Sequence, residues 1–266
     1  MNRKYIVAAA TVALCTLAAQ AHEFWLQPQK FFFQIGEKAS IGLRVGEGFV
    51  GEPWDLTQHR IERLQLLHLE QVKDLKAGVT LNSKSIFELP LPTEGTHLVV
   101  MQSNNAFIEM EAEKFNTYLD EDGLTEIRFA RERANAMDKP SKELYSRHTK
   151  LLLQVGDKRD DTYRKVTGLP IEIIPLKNPY ALKKGEPIRF RILWQGKPLF
   201  GASVKVWNRF DNRTMLQNIF TEQDGTIEAH LSNSGMWMIS VVKMVPSKDK
   251  TADYQSYWGS LVFGAE

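Results

Sequence analysis

The chain has 266 residues, and its 34 Lys and Arg nearly balance its 32 Asp and Glu, giving a formal net charge of +2. This balance excludes the clustered excess of positive charge that a nucleic-acid surface needs, so we expect no nucleic-acid partner. Hydrophobic residues make up 43% of the chain, enough for one large or two ordinary cores.

The first 21 residues have the pattern of a secretory leader. Two basic residues near the start precede an apolar run over 6–18, and Ala19-Gln20-Ala21 fits the small-residue signal of a leader peptidase. The apolar run is short for a membrane span and is followed by polar sequence. We therefore expect residues 1–21 to be a cleaved signal peptide and His22 to be the first residue of a mature periplasmic protein.

Cys15 is the only cysteine, and it lies inside the predicted leader. Leu14 precedes it where a bacterial lipoprotein signal has a small residue, so we expect no lipid anchor. Cleavage removes Arg3 and Lys4 but no acidic residue, so the 34 basic residues become 32, equal to the 32 acidic ones. A mature chain without cysteine has no disulfide, no thiolate metal site and no cysteine nucleophile.

Apolar alternation predicts strands in the first half of the mature chain, with a helical insertion after them. The predicted strands are at 24–26, 31–33, 39–45, 61–69, 96–103, 150–155 and 171–174. The predicted helices are at about 109–119 and 126–137. The acidic run Asp120-Glu-Asp122 has the composition of a solvated helix end and lacks the ligand spacing of an EF-hand.

A proline-punctuated connector, Pro175-Leu-Lys-Asn-Pro-Tyr180, predicts a domain boundary. Short strands follow at 187–194, 202–207, 219–221, 227–231 and 237–242, with Asp224-Gly225 and Ser234-Gly235 as turns. This tail resembles the Ig-like modules of surface proteins and of carboxypeptidase regulatory domains. We predict a mostly β protein with two β-sandwich (Ig-like) domains, residues 22–174 with the short helical insertion and residues 175–266.

Several longer motifs together resemble one family across essentially the whole mature chain. They are Ala21-His-Glu-Phe-Trp-Leu-Gln-Pro28, Phe115-Asn-Thr-Tyr-Leu-Asp-Glu-Asp-Gly-Leu124, Tyr145-Ser-Arg-His-Thr-Lys-Leu-Leu-Leu-Gln-Val-Gly156, Gly168-Leu-Pro-Ile-Glu-Ile-Ile-Pro175, Asn178-Pro-Tyr180 and Gly196-Lys-Pro-Leu199. The sequence is similar to the DUF4198 family, whose members are often labelled periplasmic components of nickel or cobalt uptake systems. The resemblance implies a periplasmic location and a role connected with a metal.

His22 is the strongest candidate metal ligand. Once cleavage frees it, its α-amine and its ring can chelate one ion, and neutral imidazole suits nickel, cobalt, copper and zinc. A site of the histidine-brace type needs one further imidazole, and His97 or His148, each beside a predicted strand, is the candidate. His68 has the surroundings of a core histidine, and His59 and His230 are weaker candidates. Glu23 and Glu47 are candidate oxygen ligands, with charged surface as the simpler interpretation.

The sequence therefore predicts a periplasmic accessory protein that binds a divalent transition metal, nickel or cobalt with copper or zinc as other options, and passes it to a membrane transporter. The alternative is a non-catalytic exported structural or interaction module that docks on an outer-membrane receptor or another envelope protein. A third class, an oxygen-activating copper enzyme, has only the terminal histidine in its favour. Because G-x-S-x-G, P-loop and H-E-x-x-H motifs are lacking, we expect no enzyme.

Overall fold

A computed structural model describes residues 22–54, 60–78 and 85–266. The described chain is mostly β, with two α-helices, so the predicted fold class is confirmed. Its strands and helices follow the chain in the order given next. In the first part they are Glu23–Pro28 (β1), Phe32–Phe33 (β2), Lys38–Glu47 (β3), Val50–Pro53 (β4), Ile61–His68 (β5), Gln71–Asp74 (β6), Ile86–Pro90 (β7), Gly95–Ser103 (β8), Ala106–Met110 (β9), Ala112–Glu121 (α1) and Thr125–Arg133 (α2).

The second part of the chain contains only strands and short 3-10 turns. The strands are Ser141–Val155 (β10), Ile171–Pro175 (β11), Pro187–Trp194 (β12), Lys197–Pro198 (β13), Ser203–Phe210 (β14), Arg213–Phe220 (β15), Thr226–His230 (β16), Gly235–Pro246 (β17) and Tyr254–Ala265 (β18). None of the helices in the described residues is long and apolar enough to cross a bilayer.

The strands of the described residues form three sheets. The largest follows the order β15-β14-β17-β18-β10-β8-β5-β6, with β2 and β9 also paired to β10. A second sheet contains β1, β3, β4 and β7, and a third contains β11, β12, β13 and β16. Each smaller sheet packs on one face of the large sheet, so two sandwiches share a central layer.

Alternation along β10 shows how the central layer serves both cores. Leu151 and Leu153 point into the core under the second sheet, where β1 supplies Trp25 and Leu26. Leu152 points to the opposite face, into the core under the third sheet. Successive side chains of a strand point to opposite faces, so one apolar run can fill two cores.

The central sheet crosses the boundary that the sequence predicts at residues 174 and 175. β18 lies parallel to β10, with Glu143 opposite Tyr254 and Leu151 opposite Val262. The carboxyl-terminal strand therefore completes a sheet begun by the first half of the chain. β11 ends at Pro175, where the predicted connector begins, and strands from both sides of that connector lie in the large sheet.

The two helices form the predicted insertion. α1 begins three residues later than the predicted helix at 109–119, and α2 is shorter than the predicted helix at 126–137. Glu109, predicted as helical, lies on β9, which pairs with the beginning of β10. Phe115, Tyr118 and Leu119 of α1 pack with Trp258 of β18 in a third cluster of buried residues. The insertion therefore covers one end of the central sheet.

Candidate metal centre at the amino-terminal strand

His22 immediately precedes β1 and is half-buried. The next four residues, Glu23–Leu26, are buried, so the strand that begins at His22 is held within the fold. Nη1 of Arg147 donates a hydrogen bond to the carbonyl oxygen of His22 at 3.2 Å. The guanidinium of Arg147, itself buried, lies 5.3 Å from the ring centroid of Phe24. The amino-terminal end of β1 is thereby fixed against β10.

Ionisable side chains from five elements meet at this strand end, at the start of β1, the end of β3, the end of α1, β10 and β14. We call them the amino-terminal charge cluster: His22, Glu23, Glu47, Asp122, Arg147 and Lys205. Lys205 on β14 is its central cation. Nζ of Lys205 lies 2.6 Å from Oδ1 of Asp122 and 3.3 Å from Oε1 of Glu23. Both carboxylates are buried, at 7% and 4% exposure, so this is an internal three-membered ion network.

Burial and charge act in opposite directions on these three groups. Burial raises the pKa of Asp122 to about 6 although Lys205 opposes the shift. Burial also raises the pKa of Glu23, again against Lys205. For Lys205, burial alone would lower the pKa, but Asp122 and Glu23 outweigh it and the pKa is raised. The ammonium therefore stays charged, and at neutral pH it compensates two carboxylates that water does not reach.

The ring of His22 is kept in its ligand form. Burial lowers its pKa, and the nearby carboxylate of Glu47 is the main opposing influence. Glu47 ends β3, whose Gly46 pairs with Glu23 of β1. A neutral imidazole beside a carboxylate is a donor pair that divalent transition metals accept.

His148 lies on the other face of the central sheet. It follows Arg147 on β10, so its side chain points away from His22. Its ring stacks on Tyr257 at 5.8 Å, and its Nε2 lies 2.9 Å from Oγ of Ser146. Burial lowers the pKa of His148 to about 4, so the ring is neutral. The expected pairing of His148 with His22 does not fit this arrangement.

His97 is also remote from His22. It pairs with Leu153, six residues beyond Arg147 on β10, which corresponds to about 20 Å along a strand. Its ring stacks on His68 with centroids 4.3 Å apart and planes only 9° from parallel. Burial and the neighbouring His68 lower the pKa of His97 to about 4. Its Nδ1 lies 3.2 Å from the carbonyl oxygen of Gly95, and its Nε2 lies 3.2 Å from Oγ1 of Thr93.

The structure thus gives His22 a carboxylate neighbour instead of the second imidazole that the sequence predicts. Because the rings of His68 and His97 are stacked, their nitrogen lone pairs lie in parallel planes. These lone pairs therefore do not converge on one ion. His230 is exposed, 4.0 Å from a carboxylate oxygen of Glu228, and His59 lies outside the described residues. Across residues 22–54, 60–78 and 85–266, no three His, Cys, Asp or Glu side chains are grouped to hold a metal.

Glu143 is a second buried carboxyl beside α1, and no motif or spacing in the sequence singles it out. Oε1 of Glu143 accepts hydrogen bonds from Ser256 and, at 3.2 Å, from the hydroxyl of Tyr118. Burial raises the pKa of Glu143 to about 7, and Asp122 adds to the shift. Nε1 of Trp258 donates to Oγ of Ser256 at 3.0 Å, which completes the group.

One signal in the sequence could have identified part of the charge cluster. In Ser203-Val-Lys-Val-Trp207, the alternation places Lys205 on the same face as Trp207, which is buried in the core beneath the second sheet. A lysine on an apolar face requires a buried carboxylate partner. The partners themselves, Glu23 and Asp122, are far away in sequence and carry no such signal.

The described residues thus form a mostly β protein of three sheets, with the amino-terminal charge cluster at the start of β1. The chain belongs to the DUF4198 family: the family model, described as "Domain of unknown function (DUF4198)", matches residues 19–244. A comparison with the curated proteins finds no significant match.

Two solved structures show how distant the similar proteins are. A crystal structure of the Salmonella alpha-2-macroglobulin mutant Y1175G is 8% identical with a TM-score of 0.21, covering 96% of this chain and 16% of that one. The three N-terminal domains of the bacteriophage RB49 Highly Immunogenic Outer Capsid protein (Hoc) are 9% identical with a TM-score of 0.19, covering 90% and 70% of the two chains. The chain thus spans only a small part of the macroglobulin.

Proposed function

We propose that this protein is a periplasmic accessory protein that binds a divalent transition metal at His22 and delivers it to a membrane uptake system. In this proposal, leader cleavage frees the α-amine of His22, and the amine and the imidazole chelate the ion. The carboxylate of Glu47 supplies a further ligand. The observation that carries the proposal is the position of His22, held at the start of a buried strand beside that carboxylate.

Rigid placement supports this role. A chelating terminus gains affinity when it is already ordered, because binding then removes less conformational freedom. The burial of β1 and the hydrogen bond from Arg147 to the carbonyl of His22 provide that order. The hydrogen bond from Arg147 uses only the carbonyl oxygen of His22, so it leaves the α-amine and the imidazole ring available to an ion.

The charges of the cluster also permit a cation. Glu23, Glu47 and Asp122 carry three negative charges, against the two positive charges of Arg147 and Lys205. Since Lys205 is already engaged by Glu23 and Asp122, its charge is locally compensated. The donor set of two nitrogens and a carboxylate oxygen fits nickel or cobalt, and also copper or zinc.

The choice of nickel or cobalt, and of a membrane transporter as the recipient, comes from the family resemblance. The periplasmic location that we propose fits the same role, because an exported protein meets metal ions before an inner-membrane transporter does. A protein that passes its ion on needs an accessible site, and the half-buried His22 provides one. No catalytic step is part of this proposal.

The test compares two amino termini. Protein recovered after export without an affinity tag is titrated with Ni²⁺ and Co²⁺ by calorimetry, beside a form with one glycine added before His22. The added residue removes the free amine from His22 but leaves its ring and the fold unchanged. We expect affinity to fall by about tenfold or more, since loss of even an outer partner of a metal ligand typically costs about 10–100-fold in affinity.

Two further variants assign the ligands. His22→Ala and Glu47→Gln should each weaken binding, whereas His230→Ala, which removes an exposed imidazole, should leave it unchanged. Equal affinity of the native and extended termini would contradict chelation at His22. A protein that binds neither ion at a stoichiometric level would favour the alternative, an exported structural or interaction module.

A further inference from the structure

Within residues 22–54, 60–78 and 85–266, β15 forms one edge of the central sheet and pairs only with β14. All of its residues are exposed except the half-buried Ile219. Three apolar side chains on it are 44% to 61% exposed: Met215, Leu216 and Phe220. The stretch 214–220 contains no charged residue, no proline and no glycine. Among the residues that the structure describes, the strand therefore has an edge paired with no other strand, and 214–220 lacks the charges and the proline that often prevent strand addition.

The opposite edge of the same sheet is protected. β6 has four residues, Gln71–Asp74, and two of them, Lys73 and Asp74, are charged. Short length and charge are the common means of preventing edge-to-edge pairing. β15 has eight residues and its one charge, Arg213, is at its start. The two edge strands thus differ in length and in charge, which together decide whether another strand can pair with an edge.

The turn that precedes β15 shows which of its backbone groups are free. Asp211 and Asn212 both have positive φ, 45° and 61°, as the two central residues of a type I′ hairpin do. The flanking pair, Phe210 and Arg213, therefore exchanges both hydrogen bonds, and the hydrogen-bonded pairs continue at every second residue. The N–H and C=O groups of Thr214, Leu216, Asn218 and Phe220 consequently point away from β14.

We propose that the open edge of β15 binds the β15 of a second copy of this chain, in an antiparallel pair about a two-fold axis at Gln217. In this register Leu216 lies opposite Asn218 of the second copy, and Thr214 lies opposite Phe220. These are the residues whose backbone groups are free. Met215 meets Ile219 on one face, so one apolar pair forms on each side of the axis, while Leu216 and Phe220 lie opposite Asn218 and Thr214 on the other face.

The lack of charge on 214–220 selects a second copy as the occupant. A strand that pairs with itself places each charge near its own symmetry mate, so any charge near the axis would repel. A strand without charge has no such penalty and offers no charged group to select a different partner. Thr214 steadies the edge, since its Oγ1 donates to the carbonyl oxygen of Gly48 at 3.0 Å.

The first test measures molar mass by size-exclusion chromatography with light scattering over a range of concentrations. We expect the full chain to approach twice its monomer mass as concentration rises, and Leu216→Lys to remain monomeric, because an edge lysine blocks strand pairing. Val72→Lys on the opposite edge is the matched control and should dimerise like the parent. A parent that stays monomeric, or a Leu216→Lys variant that still dimerises, overturns the proposal.

The second test locates the axis. Gln217 and its symmetry mate form a non-hydrogen-bonded pair, for which Cα atoms lie about 4.5 Å apart, within the range of a disulfide. In a form that begins at His22 and so lacks Cys15, Gln217→Cys should therefore give a covalent dimer on mild oxidation, whereas Val72→Cys and the parent should not. Folding of each variant is checked by circular dichroism. A folded Gln217→Cys protein that forms no disulfide dimer overturns this register.

Discussion

Nζ of Lys205 lies 2.6 Å from Oδ1 of Asp122, although the two residues belong to opposite halves of the sequence. Asp122 directly follows α1, and Lys205 is on β14 in the tail. The same ammonium contacts Glu23 at the beginning of β1. One cation therefore connects the amino-terminal strand, the helical insertion and the central sheet at the place where we propose the metal site.

Removing that cation should destabilise the fold. In Lys205→Met, Asp122 and Glu23 would be buried without compensation, and breaking a buried ion pair in this way costs about 3 kcal/mol. Denaturant unfolding followed by fluorescence measures the free energy of unfolding. The control is Lys243→Met, whose partner Glu126 is exposed, so its loss should be about 0.5 kcal/mol. Equal losses for the two variants would show that the Lys205 network is not an internal one.

Glu143 should give the stability a specific dependence on pH. Burial raises the pKa of this carboxyl from 4.5 to about 7, so between these values the folded protein holds a proton that the unfolded chain has lost. Its contribution to the free energy of unfolding therefore falls as pH rises through this window, by an amount on the order of a few kcal/mol. Below the window both states are protonated, and the contribution is constant.

The variant Glu143→Gln isolates this effect because it keeps the acceptor for Tyr118 and Ser256 but does not titrate. The free energy of unfolding, measured at about pH 5 and about pH 8, should then lose the decline assigned to Glu143. Glu109→Gln, at an exposed position of β9, is the control and should keep the parental pH dependence. If Glu143→Gln retains the parental slope, the carboxyl does not titrate in this window.

The strands that were predicted from the sequence are those whose pattern depends on apolar residues. β3 and β12 alternate with period two because one face of each is buried against the central sheet. β18 was not predicted, although its residues are mostly buried, since serines, glycines and a glutamine interrupt its apolar pattern. Its buried Ser260 is satisfied by contacts with Thr149 and with the carbonyl of Phe24, which depend on the completed fold.

The site was predicted in part for the same reason. His22 could be selected from local features, namely the cleavage signal and the apolar residues that follow. Its neighbours could not, because Asp122 in the acidic run after α1 has the composition of a solvated helix end and is instead buried against Lys205. Strand alternation alone places the consecutive residues Arg147 and His148 on opposite faces, but which of those faces lies against His22 depends on the completed fold.

Gly46 should be essential to the position of Glu47. A Cβ atom at Gly46 would collide with the backbone of Val50 and Gly51 across the β3–β4 hairpin. Gly46→Ala should therefore lower the free energy of unfolding by about 1–3 kcal/mol and weaken metal binding through displacement of Glu47. Gly42→Ala on the same strand is the control, because its Cβ would meet nothing closer than 3.5 Å. Thermal unfolding and the metal titration would show both effects, and equal behaviour of the two variants would contradict this explanation.

The ion pair of Lys150 and Glu172 joins the central sheet to the third sheet. Nζ of Lys150 lies 2.5 Å from Oε1 of Glu172, and both side chains are 1% exposed. Glu172 also accepts the backbone N–H groups of Thr167 and Gly168, at 2.6 and 3.1 Å. Lys150→Met should lower the free energy of unfolding by about 3–5 kcal/mol, because it leaves a buried carboxylate without its cation.

A double-mutant cycle separates the pair from the packing of its members. Glu172→Gln keeps an acceptor oxygen for only one of the Thr167 and Gly168 amides, which bond different oxygens of the carboxylate, and it leaves the ammonium of Lys150 uncompensated. In Lys150→Met with Glu172→Gln neither charge remains, so the combined loss should be smaller than the sum of the single losses, by about 1–3 kcal/mol. Denaturant unfolding of the four proteins gives this coupling energy. A coupling energy near zero would mean that the two charges are solvated independently, and it would contradict the buried ion pair of Lys150 and Glu172.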